Sequence, residues 1–190
     1  MDAAVLHRRT VDYWESCVSG VDEKQWSAPT PCQGWTVRDL VNHVVGEELW
    51  AVPLIHGSTI EEVGDRFDGD VLGDQPMEVS HRAASQATEV AEEASPDTVV
   101  HLSYGDEKLD EYLRQLAADH LVHGWDLAVA TGGDTHMDPD LVAEVAGWFS
   151  EREVLYRAAG VIGPHGSSSG DPQADLLAAF GRDARWAAAE

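Results

Sequence analysis

The sequence is short of cysteine, of basic residues and of long apolar runs, and each shortage excludes something. Cys17 and Cys32 are the only two cysteines among 190 residues, and they show no CxxC spacing. Neither a disulfide scaffold nor a zinc ribbon is therefore expected, and a reducing, cytoplasmic setting is the simplest one. Twelve Lys and Arg against 35 Asp and Glu give a formal net charge of -23. That charge repels nucleic-acid phosphates and anionic lipid over the range that salt permits, so neither nucleic acid nor a membrane is expected as a partner. No apolar run reaches the roughly 18 residues of a membrane span. The opening MDAAVLHRRTVDYWESCV lacks the apolar core of a signal peptide. The GxSxG, P-loop and GxGxxG patterns are missing as well, and Ser103 or Ser168 near a histidine does not make a triad.

What is present describes a compact helical chain. An apolar share of 43% with seven tryptophans suits one globular domain over residues 1–190. Apolar residues at helical spacing predict a first helix from Ala3 to about Val18. Pro29, Pro31 and Gly34 make the following stretch a connector, with Trp26 as an anchor. Thr36, three residues before Asp39, is a variant capping box and starts a second helix, VRDLVNHVVGEELWAVPLI, whose end Pro53 disturbs. Residues 57–75 read as an acidic surface excursion. Pro76 opens a third helix, PMEVSHRAASQATEVAEEA, alanine-rich and narrow enough to support a homodimer contact. TVVHLSYG is an extended segment or small hairpin. LAADHLVHGWDLAVATG, Leu116 to Gly132, lies in a long fourth helix closed by Gly132. A fifth helix is expected from Asp140 to Gly160, and residues 156–190 form a C-terminal extension with a short helix at Leu176 to Phe180.

The fourth helix carries Asp119, His120, His123 and Asp126 within two turns. Asp119 and His123, four apart, share a face and can reach one point, which suits a metal. The same histidines also lie on an apolar line with Leu109, Leu113, Leu116 and Leu127, where a hydrogen-bonded core role is equally ordinary. His43 flanks the buried stripe of the second helix and needs a partner or a ligand. Joined to Asp119 and His123 it completes a two-histidine, one-carboxylate set on facing helices, with positions left open for water or substrate. Zinc is the first expectation, with iron, nickel and manganese as alternatives. Cys32 precedes the second helix, whose N-terminal dipole would favour a thiolate, but a packing role is the expectation. Trp35 and Trp125 are expected to pack helix ends rather than touch substrate.

PTPCQGWTVRDLVNHVVGEELW, HLVHGWDLAVATG and LLAAFGRDARW together resemble the DinB-like, mycothiol-dependent maleylpyruvate isomerase superfamily in its short single-domain branch. The resemblance spans nearly the whole chain. It implies an all-α, antiparallel four-helix bundle with an extra C-terminal helix and short connectors. It also implies a divalent metal held by His43, by Asp119 where isomerases carry glutamate, and by His123, with His120 as the substitute for Asp119. Asp126 would orient a ligand histidine from behind, or cap a neighbouring turn. The implied function is metal-dependent thiol transfer or isomerisation on a small electrophile, with mycothiol as co-substrate. The competing expectation is a non-enzymatic metal-binding bundle or a dimerising, stress-related module.

Overall fold

Four long helices, with four shorter ones and a hairpin around them, carry the chain in a computed structural model that describes residues 1–160 and 162–188. Val161, Ala189 and Glu190 of the expected 156–190 extension lie outside the described residues. Helix α1 runs Ala3–Ser19, α2 Val37–Ile55, α3 Ile60–Val63, α4 Pro76–Glu93 and α5 Leu109–Thr131. They are followed by α6 (Pro139–Ser150), α7 (Glu153–Ala158) and α8 (Pro172–Ala179), and the hairpin consists of β1 (Val99–Leu102) and β2 (Gly105–Lys108). In the core, α1 packs on α4 and α5, and α2 packs on the same two. The result is the expected four-helix bundle.

Local chemistry explains the boundaries. At the start of α2, Thr36 Oγ1 accepts from Asp39 N–H while Asp39 accepts from Thr36 N–H, so two orphan donors are satisfied reciprocally. Pro76 sits at the first position of α4, where its missing N–H costs nothing. Gly132 ends α5 at φ 74°, a conformation that favours glycine. Gly124, inside α5, has a different purpose: a Cβ there would stand 2.5 Å from the Tyr13 ring. Its hydrogen is what lets α1 and α5 approach.

The core forms three apolar groups along the bundle. Leu40, Val41, Val44 and Leu127 close around Trp14, Ala87, Ala91, Leu113 and Leu116 pack with Leu54, and Leu121, Trp125, Val145 and Leu176 join α5 to α6 and α8. Each large side chain so buried contributes about 1.5–3 kcal/mol relative to exposure. The alanine stripe of α4, Ala83, Ala84, Ala87 and Ala91, is buried against α1 and α2, so it is used within the chain rather than left for a second copy.

The second helix spans Val37–Ile55 as expected, with Pro53 inside its last turn. Two other expectations change in detail. The expected fifth helix breaks at Ser150, because Arg152 turns to grip Glu111 at 2.6 and 2.7 Å and the chain re-enters a helix only at Glu153. Tyr156 thereby folds back, edge-on to Trp148 and Phe149. The excursion 57–75 is pinned rather than free: Asn42 bonds Gly69 and Val71, and Leu72 is 1% exposed. TVVHLSYG does form a small antiparallel hairpin, Val99 facing Lys108 and Leu102 facing Gly105. Among the described residues no helix is long and apolar enough to cross a membrane.

Candidate metal centre

Helices α2 and α5 bring His43, Asp119 and His123 together, with one donor atom from each lying within 4.8 Å of the others. His43 Nε2 is 3.4 Å from Asp119 Oδ2, and His123 Nε2 is 3.3 Å from Asp119 Oδ1. The carboxylate thus lies between the two imidazoles. Asp119 Oδ2 is buried without a hydrogen-bond partner, the kind of orphan atom that a cation would satisfy. Two imidazole nitrogens and one carboxylate oxygen are a fitting donor set for a divalent transition ion.

A second layer holds His123. Its Nδ1 lies 2.9 Å from Asp126 Oδ2, an acceptor that holds a proton on Nδ1, so Nε2 is the nitrogen that faces Asp119 and gives up its proton if a cation binds. Asp126 is fully buried and is gripped in turn by Arg182, whose Nη2 lies 2.8 Å from Oδ2. Burial would raise the Asp126 carboxyl, but His123 and Arg182 outweigh it and hold the group low. Burial likewise opposes charge on Asp119 and His123, yet each outweighs that cost for the other. Helped by His43, Asp119 is held well below the carboxylate range; helped by Asp126 and Cys32, His123 is held well above the imidazole range. A cation entering the cluster therefore displaces a proton from His123.

His120 is not in the cluster. It points into the bundle, where Nδ1 donates to the Leu116 carbonyl at 2.6 Å and Nε2 faces Glu48 Oε1 at 3.1 Å. The His7 ring meets it edge-on at 5.4 Å. Of the two candidates for the third position, only Asp119 reaches His43 and His123.

Two residues assigned to packing stand elsewhere. The connector before α2 closes through a Pro29–Thr36 bridge, a Trp35 N–H to Cys32 carbonyl bond and Gly34 at φ 82°. That turn carries Trp35 to the cluster, 5.1 Å from the His43 ring and 6.2 Å from the His123 ring. It also sets Cys32 Sγ 3.3 Å from both Asp126 Oδ2 and Arg182 Nη2. Trp125, by contrast, is core, at 2% exposed. Sequence reasoning passed over Arg182, Trp148, Tyr156 and Phe180, which with Gln33 and Gln115 wall a cavity of about 650 Å³ above the cluster. Only the LLAAFGRDARW match pointed toward any of them.

A helical bundle with a two-histidine, one-carboxylate cluster at the floor of an aromatic cavity defines the class. The chain belongs to the mycothiol maleylpyruvate isomerase N-terminal domain family, whose model matches residues 7–128. Two uncharacterized proteins of Mycobacterium tuberculosis, from strains CDC 1551 / Oshkosh and ATCC 25618 / H37Rv, are 33% identical over 180 residues, which is 92% of this chain and 87% of theirs. The crystal structures of the mycothiol-dependent maleylpyruvate isomerase and of a point mutant of it superpose with TM-scores of 0.62 and 0.64. Their sequences are 19% identical to this one, over 86% of this chain and 72% of theirs. At that identity the likeness is one of fold.

Proposed function

We propose that the protein binds a divalent metal through His43, Asp119 and His123 and catalyses transfer of a small thiol, mycothiol by family, to an electrophile. The observation that carries this reading is the convergence of three donor atoms within 4.8 Å beneath an open cavity. A bound dication would supply the charge that favours a thiol's deprotonated form near neutral pH. The protein's own residues do the rest. Asp126 keeps the proton of His123 on Nδ1 and so fixes which nitrogen faces the cavity. Arg182 keeps Asp126 ionised for that task. Trp35 covers one side of both histidines and limits water there. In the transfer itself the thiol sulfur loses its proton and forms a bond to the electrophilic carbon. The displaced electron pair goes to the electrophile's leaving group or carbonyl oxygen, which takes up the proton.

Metal content of the purified chain, followed by conjugation assays with mycothiol and a panel of electrophiles, tests the reading. Bound metal and conjugation, both lost in His43→Ala and His123→Ala, are the expected outcome. Bound metal without conjugation would point instead to a metal-binding module. Full metal content in both folded variants would remove the proposed centre.

A further inference from the structure

The lining of the cavity indicates what kind of electrophile it takes, a deduction that rests on the metal and thiol reading above. Its walls are aromatic and stiff. Phe180 stacks on Phe149 at 4.1 Å between centroids, Tyr156 stands edge-on to Trp148 at 6.0 Å, and Trp35 lines the cavity beside His43 and His123. Such walls favour flat apolar ligands, because aromatic faces stack with little loss of side-chain freedom.

The polar lining supplies little positive charge. Gln33 and Gln115 are neutral amides, and Gln115 already donates to the Tyr104 hydroxyl at 2.6 Å. Among the described residues Arg182 is the one guanidinium on the lining. Its donors are directed elsewhere: Nε lies 3.2 Å from each Asp126 oxygen, Nη2 2.8 Å from Asp126 Oδ2 and 3.3 Å from Cys32 Sγ, and Nη1 3.0 Å from the Phe180 carbonyl. Arg152 and Arg157, in the neighbouring α6–α7 segment, are held by Glu111 and Glu153. With His123 neutral as a metal ligand, Asp119 and Asp126 against Arg182 sum to one negative charge. A dication would reverse that by two, and the thiol anion would then bring the sum to zero. With the thiol on the metal, a carboxylate on the second substrate would be desolvated with no free cation among the described lining residues to receive it.

We infer that the electrophile is a neutral, flat, largely apolar molecule, such as an aryl or conjugated carbonyl compound, rather than a carboxylic acid. Binding of two unreactive probes tests this, read by quenching of the cavity tryptophans in the full chain loaded with zinc and saturated with mycothiol: N-phenylsuccinimide and its 4-carboxyphenyl counterpart. The neutral probe is expected to bind at least about tenfold more tightly, the scale of one unpaired buried charge. Comparable or tighter binding of the carboxylate, or binding of neither, overturns the inference. A Gln33→Arg variant, at an exposed position on the rim, should narrow the preference to below about threefold. An unchanged preference in that variant would remove charge as its cause. Neither probe reacts with thiols, so these results are independent of whether conjugation occurs. A parallel assay with N-phenylmaleimide and mycothiol decides that question separately.

Discussion

Helix α5 presents two histidines three residues apart to two polar clusters with different fates. His123 joins His43 and Asp119 beneath the cavity, where the side chains are 9%, 31% and 30% exposed. His120 joins Glu48 and His7 inside the bundle, where all are 1% exposed or less. The inner cluster is shut off from solvent: burial pushes Glu48 up to about 6, restrained by His120, and Glu48 raises His120 against its own burial. Each cluster leaves one carboxylate oxygen without a partner, Glu48 Oε2 inside and Asp119 Oδ2 outside, and it is the outer one that has a route to solvent. Residue type does not separate candidate ligand from core histidine here. Access and the identity of the facing carboxylate do.

Substitutions should separate the two clusters. The largest effect is expected from the His43→Ala, His123→Ala double variant, which should lose metal altogether by elemental analysis. That loss exceeds the roughly 10- to 100-fold that removing a supporting residue costs. His120→Ala should do the opposite, keeping metal stoichiometry while lowering the unfolding free energy by about 3–5 kcal/mol, because it leaves Glu48 buried and unpaired. Chemical denaturation alongside metal analysis reads both, and loss of metal with unchanged stability would merge the clusters. Asp126→Asn should weaken metal affinity by about 10- to 100-fold in a competition titration with a chelator, since His123 loses its fixed tautomer.

The smallest effect concerns His7, which has no hydrogen-bond partner on either ring nitrogen. Burial, then the nearby His120, pulls it from 6.5 down to about 3. Between those values the unfolded chain binds a proton that the folded chain refuses, so stability is present above pH 6.5 and is lost as pH falls. The slope is about 1.4 kcal/mol per pH unit. His7→Phe should remove that share of the acid sensitivity, leaving a shallower stability curve between pH 6.5 and 5 in thermal or urea unfolding. An identical slope in both proteins would show that His7 is protonated in the folded state.

Much of the bundle was legible because its signals are local. Thr36 with Asp39, Pro76 and Gly132 mark helix ends by their own chemistry, and apolar spacing marks the faces. His43 and His123 were legible as a pair through the capped second helix and the quoted motifs. The choice between Asp119 and His120 was not, since it depends on Glu48, a residue that no sequence signal singled out and that in space is fully buried. Arg182 was invisible for a similar reason: it is 56 residues from Asp126, and no periodicity links them. The break at Ser150 depends on Glu111, 41 residues from Arg152. Trp35 was misplaced because a tryptophan beside a helix start is ordinarily packing, and only the closed turn at Gly34 brings it to the histidines.

The Arg182–Asp126 contact bears on what counts as a unit in this family. The shared segment ends at residue 128, and it contains all three donors and the carboxylate behind them. The guanidinium on that carboxylate, and the Trp148, Tyr156 and Phe180 walls, come from chain beyond it. A protein trimmed to the common segment would keep the three candidate donors and lose these aromatic walls. In this chain the segment before residue 128 carries the cluster, and the segment after it shapes what can reach it.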